Sequence, residues 1–154
     1  MAPEAELGRR LVGLTSLPIA GWGSLVWLGV RLGIDPQRIL KPHPVHALTA
    51  LQLALGRPAP QALEEAANLG WLGKPSPAWH PLHGARVSVF EDTPAAVRSL
   101  QSAQETLTSA GVEITIRCFG IATHPFKSQA LEHYGAQVYP GLAEALSAAG
   151  ILPH

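Results

Sequence analysis

The residues of this chain that could do chemistry are few and widely spaced. Glu91 and Asp92 stand side by side after an apolar stretch and offer hard carboxylate oxygens of the kind Mg²⁺ accepts. Lys41, ahead of Pro42, offers a compact positive charge. Thr15 and Ser16 offer hydroxyls and the backbone amides of a loop leading toward a helix. Gathered at one place, a divalent-cation site, a point charge and small donors are the parts of a phosphoryl-transfer centre. Each also has an ordinary use. Asp92-Thr93-Pro94 is a good helix N-terminus, with Asp92 or Thr93 as the cap and Pro94 in the first turn. A lysine is usually solvated, and a Thr-Ser pair before a proline is a common loop. Only their conjunction would give the chemistry.

Other constellations point less far. His43-x-x-His46 and His80-x-x-His83 have metal-ligand spacing, but Pro44 and Pro81 put each pair on a loop or a helix start. They read as loop and surface histidines, with His46 on a helix face. Gly73-Lys74 lacks the spacing of a phosphate loop, and Pro75 removes an amide donor. Cys118, within an apolar strand, reads as a small hydrophobe, and Trp22, Trp27, Trp71 and Trp79 as core and loop-anchoring residues.

The elements that must position these groups follow from composition and periodicity. The 154 residues suit one domain with a proper core, and 47% hydrophobic against 14% charged residues excludes a disordered segment or a coiled coil. Eleven basic and eleven acidic residues without a basic run leave no footprint for nucleic acid. One cysteine allows no internal disulfide, so a cytoplasmic location is expected. The uncharged run Leu11 to Val30 is long enough to cross a bilayer, but Pro18, four glycines and three hydroxyl residues dilute it, so no membrane span is expected.

Leu11–Leu14 reads instead as a short strand, Thr15–Ile19 as a loop and Ala20–Leu32 as a helix closed by Gly33. Ile39 and Leu40 read as a brief extended piece, and Val45–Leu55 and Pro60–Leu69 as a helical hairpin. Gly70–Gly84, rich in Gly and Pro, reads as an irregular loop. Arg86–Phe90 alternates as a strand, followed by the acidic turn and a helix to about Ala110. A strand over Val112–Ile121, a helix over Lys127–Tyr134, a short strand over Ala136–Tyr139 and a helix over Leu142–Ala149 complete the chain. Alternating strand and helix predict an α/β fold with a mostly parallel sheet. Ligands in such sheets sit at the carboxyl ends of strands, so the loops after Leu14, Leu40, Phe90 and Ile121 are expected to meet at one edge.

Three segments in this order carry a resemblance: Leu14-Thr15-Ser16, then Lys41-Pro42-His43-Pro44-Val45-His46-Ala47-Leu48, then Val89-Phe90-Glu91-Asp92-Thr93-Pro94. They are similar to the second, third and fourth motifs of haloacid dehalogenase-like hydrolases, and the tail from Gly120 to Leu146 is similar to the closing βαβα of their phosphatase-like members. The resemblance implies a Rossmann-like three-layer fold and a Mg²⁺-dependent phosphohydrolase acting on a small phosphorylated molecule. It implies that Thr15 or Ser16 binds the phosphoryl group, that Lys41 offsets its charge, and that Glu91 and Asp92 form the metal site, with Asp92 the direct ligand. The family also needs a nucleophilic aspartate at the end of a first, central strand. Residues 1–10 contain no aspartate. The first family strand is therefore missing from this reading, and the chain alone is expected to be inactive and to form homo-oligomers through an unpaired strand edge. The alternative is a non-catalytic binding or interaction domain that keeps the fold.

Overall fold

Two runs of alternating β-branched and aromatic residues build the sheet. In the computed structural model, which describes residues 10–11 and 15–152, β1 (Ala85–Glu91) and β2 (Ile114–Ile121) pair in parallel, with Ala85 opposite Ile114 and Glu91 opposite Gly120. The short β3 (Gln137–Tyr139) adds in parallel to the far side of β2, giving the order β1-β2-β3. Parallel neighbours require helical crossovers. These are α4 (Pro94–Ser109) between β1 and β2, and α5 (Pro125–His133) between β2 and β3; α6 (Leu142–Ala148) then packs against β2 and β3. The chain is thus mixed α/β with a three-stranded parallel sheet.

Before the sheet comes a helical layer: α1 (Trp22–Leu32), α2 (Pro44–Ala54) and α3 (Ala59–Gly70). The expected hairpin of α2 and α3 forms, and α2 also packs along α4. Because strand residues alternate between faces, Val87, Val89, Ile116 and Cys118 look the same way, and all four pack against one buried cluster with Leu28, Leu48, Leu51, Leu63 and Leu107. On the other face Arg86, Ser88, Thr115 and Arg117 are exposed, while Phe90, Phe119 and Tyr139 form a ring ladder with centroids 5.2 and 6.1 Å apart.

The helix bounds fall within a few residues of expectation, and three local readings are corrected. Of the strand read over Leu11–Leu14, Leu11 has helical backbone, and residues 12–14 lie outside the described residues. The extended piece at Ile39–Leu40 is mostly a 3-10 turn, Pro36–Ile39, because Asp35 accepts from the Gln37 amide and Pro36 presets the first turn. The stretch read as an irregular loop contains a second 3-10 turn, Pro77–Leu82, started by Ser76 and held on α2 by Gln52, whose Nε2 donates to the Ala78 carbonyl at 3.2 Å.

The tryptophans divide. Trp79 is 1% exposed and belongs to the core, but Trp22 and Trp27 are 46% and 41% exposed. The inward stripe of α1 is Leu25, Leu28 and Gly29, at three- and four-residue steps, which turns Trp27 outward, while Trp22 borders the stripe at the exposed first turn. Gly29 is where α1 meets the chain after it: a Cβ there would lie 2.7 Å from Pro36 Cγ and 2.9 Å from the Ile34 carbonyl oxygen. Gly29→Ala is expected to lower unfolding free energy by about 1–2 kcal/mol in urea titration. Overpacking against backbone outweighs the roughly 1 kcal/mol gain in helix propensity, and a more stable variant would refute this contact.

Candidate functional site

The carboxyl end of β1 is where charge collects. Glu91 is the last strand residue and shares the covered face with Val87 and Val89, so its carboxylate is carried toward the helical layer and is half-buried. Lys41 reaches it from the turn before α2, with Nζ 3.4 and 3.5 Å from the two carboxylate oxygens. Burial pushes the Glu91 carboxyl above its ordinary value; the Lys41 ammonium pulls it back only in part, and the Asp92 charge adds to the rise. Burial, with the Glu91 charge adding to it, raises the Cys118 thiol to about 11, which keeps it protonated at neutral pH.

Asp92 is one residue further on and largely exposed. The cap of α4 is Thr93, whose Oγ1 accepts from the Ala96 amide at 3.3 Å, so Asp92 is not engaged in capping. It pairs instead with Lys127 on the first turn of α5, Nζ to Oδ2 3.1 Å. Lys127 did not emerge as a site residue from the sequence. Its signal was its place just after the end of β2, the strand next to β1, on the loop-to-helix junction that parallel topology brings to the same edge.

Lys41 sits in a tightly held turn. The His43 amide donates to the Leu40 carbonyl at 2.8 Å, and the His43 Nδ1 accepts from the Val45 amide as the N-cap of α2. The His43 ring lies 5.6 Å from that of Trp71. One helical turn on, His46 Nε2 donates to the Ala20 carbonyl at 3.1 Å. This bond ties α2 to the stretch that follows Thr15 and Ser16. Those two residues occupy an exposed turn. The structure therefore joins Lys41 to Glu91 and Lys127 to Asp92, and places the two hydroxyls on a separate turn fastened to the same helix start.

No protein-family model, curated protein or solved structure matches this chain.

Two adjacent carboxylates are a donor set that suits Mg²⁺, which takes one or two carboxylates and fills its octahedron with water and phosphate oxygens. Among the described residues no group of three or more His, Cys, Asp or Glu side chains gathers. His80 and His83 lie at the opposite end of β1, where His83 Nδ1 accepts from the Glu113 amide. Among the described residues no helix is long and apolar enough to cross a membrane.

Desolvation lowers His43 and His46 below 6.5, and the Lys41 charge lowers His46 further. The folded state then holds these protons less tightly than the unfolded chain, so the stability they contribute is complete above pH 6.5 and is lost as pH falls through their folded values. Glu91 acts in the opposite sense: its raised value favours the folded state at acid pH and costs stability as pH rises above 4.5. Melting temperature is expected to fall between pH 7 and 5.5. His46→Gln, which keeps a donor for Ala20, should flatten that fall, and an unchanged slope would exclude His46 as its source.

Proposed function

We propose that this chain is part of a haloacid dehalogenase-like, Mg²⁺-dependent phosphohydrolase with a Rossmann-like three-layer fold, and that it supplies the phosphate-binding and metal-holding side of the site. The observation that carries this reading is the meeting of Lys41 with Glu91, and of Lys127 with Asp92, at the carboxyl end of one parallel strand. Glu91 and Asp92 would hold Mg²⁺, which when bound would neutralise phosphoryl oxygens and orient them. Lys41 is held within a fixed turn, so its ammonium would meet a phosphate oxygen without a further loss of backbone freedom. Thr15 or Ser16 would donate a hydroxyl hydrogen bond to the same group. The substrate would be a small phosphorylated molecule, and the nucleophilic aspartate of the family has no counterpart in residues 1–10. Transfer by this chain alone is therefore not expected, although binding is.

A second reading, a binding or interaction domain without turnover, is favoured by a specific observation: among the described residues β1 has a strand neighbour on one side only. An unpaired edge recruits strands from other chains, and homo-oligomers would follow.

Isothermal titration of the chain with inorganic phosphate, with and without Mg²⁺, tests the first reading. Mg²⁺ is expected to strengthen phosphate binding. Asp92→Asn should remove that effect, and Lys41→Met should weaken binding about tenfold, the loss of one charge-assisted hydrogen bond. Phosphate binding that ignores Mg²⁺ and both substitutions, or no binding at all, would sink the phosphohydrolase reading and leave the interaction domain.

A further inference from the structure

Ser99 is a fully buried hydroxyl residue in the second turn of α4, seven residues after Asp92 and 58 after Lys41. Its Oγ donates to the His43 carbonyl at 2.8 Å. This is the one direct hydrogen bond described between α4 and the turn that carries Lys41. It completes the use of His43: the amide closes the turn on Leu40, Nδ1 caps α2, the ring rests by Trp71, and the carbonyl is taken by Ser99. A residue held at four points fixes the chain two residues before it, where Lys41 begins.

The identity of the helix gives that bond its meaning. α4 is the helix that Glu91 and Asp92 lead into through the Thr93 cap. Ser99 therefore ties the lysine-bearing turn to the same rigid element whose start holds the carboxylates. A buried hydroxyl could have been satisfied within its own helix, as Thr49 and Thr106 are by bonding the carbonyls of Val45 and Ser102. Ser99 reaches across to the turn instead.

We propose that Ser99 is a positioning residue: through the His43 carbonyl it sets the reach of Lys41 to Glu91 and so holds the lysine ready for a phosphate oxygen. What Lys41 is held ready for rests on the phosphohydrolase reading; that Ser99 holds it does not.

Two measurements on the full chain separate these. The first is the ammonium signal of Lys41 in ¹⁵N-lysine NMR, identified by its loss in Lys41→Met. Ser99→Ala removes one oxygen and adds no volume. It is expected to shift the Lys41 signal to the position of free lysines and to speed its proton exchange, and Ser99→Thr, which keeps the donor, to restore it. The second is phosphate titration in the presence of Mg²⁺, where Ser99→Ala should weaken binding about fivefold, as for one hydrogen bond. In the Lys41→Met background, Ser99→Ala should have no further effect. If Ser99→Ala lowers the melting temperature but leaves the Lys41 signal in place, its role is structural only and the proposal is overturned. If the signal moves while the parent chain binds no phosphate, the positioning stands and the phosphohydrolase reading falls. Should Ser99→Ala not fold, Ser99→Cys, only slightly larger and a weaker donor, is read the same way.

Discussion

A half-buried carboxylate on the covered face of β1 sets the terms for the site end of this protein. The face that carries Val87 and Val89 into the helical core continues, two residues on, to Glu91. A charge placed there loses hydration, and the fold must answer it with a partner or leave it protonated. Lys41 is that partner, and the turn that delivers it, the cap of α2 and the Ser99 bond from α4 all lie within the few residues needed to bring an ammonium to that point. The neighbouring Asp92, free of the capping role that Thr93 takes, carries a second charge at the exposed rim.

The balance at Glu91 is incomplete. Desolvation outweighs the attraction of Lys41, so the carboxyl is raised even with an ammonium beside it, and Asp92 adds repulsion. A purely structural ion pair gains little by standing next to a second, like charge. Burial is likewise the main reason the Cys118 thiol on β2 is raised, with the Glu91 charge adding to it. The paired lysines offset the two carboxylates at this edge.

What could be read from sequence was what local periodicity encodes. The alternation of β1 and β2, the helices between them, and the hairpin of α2 and α3 all follow from spacing and Gly or Pro punctuation. The candidate residues Lys41, Glu91 and Asp92 could be chosen by type, but not which carboxylate each lysine meets. Lys41 and Glu91 are 50 positions apart and Lys127 and Asp92 are 35 apart, so those pairings exist only after the parallel topology is formed. Thr93 rather than Asp92 as the cap is settled by a single hydrogen bond, for which both side chains had the right chemistry. Trp27 misled because hydrophobicity does not say which stripe of a helix turns inward, and Trp22 because it stands at the helix start, where the stripe is left uncovered. The inward stripe here is the one that lets Gly29 pass close to Pro36. Ser99 carried no signal, since a serine inside a helix differs in no local way from its neighbours.

The position of the site within the sheet adds a last constraint. Among the described residues β1 is an edge strand, joined to β2 on one side only, while the helical layer of α1, α2 and α3 packs into the same core as its covered face. A polar cleft usually opens in the middle of a parallel sheet, where loops from two strands diverge. Here the partners of the strand end come instead from a helix-leading turn, that of Lys41, and from the start of α5. The edge strand therefore needs both lysines for a reason beyond charge neutralisation. The end of β1 is held by its pairing with Gly120 of β2, by Lys41 on Glu91 and by Lys127 on Asp92. Charge and geometry at this edge are one interaction: the contacts that make the carboxylates tolerable also fix where they stand.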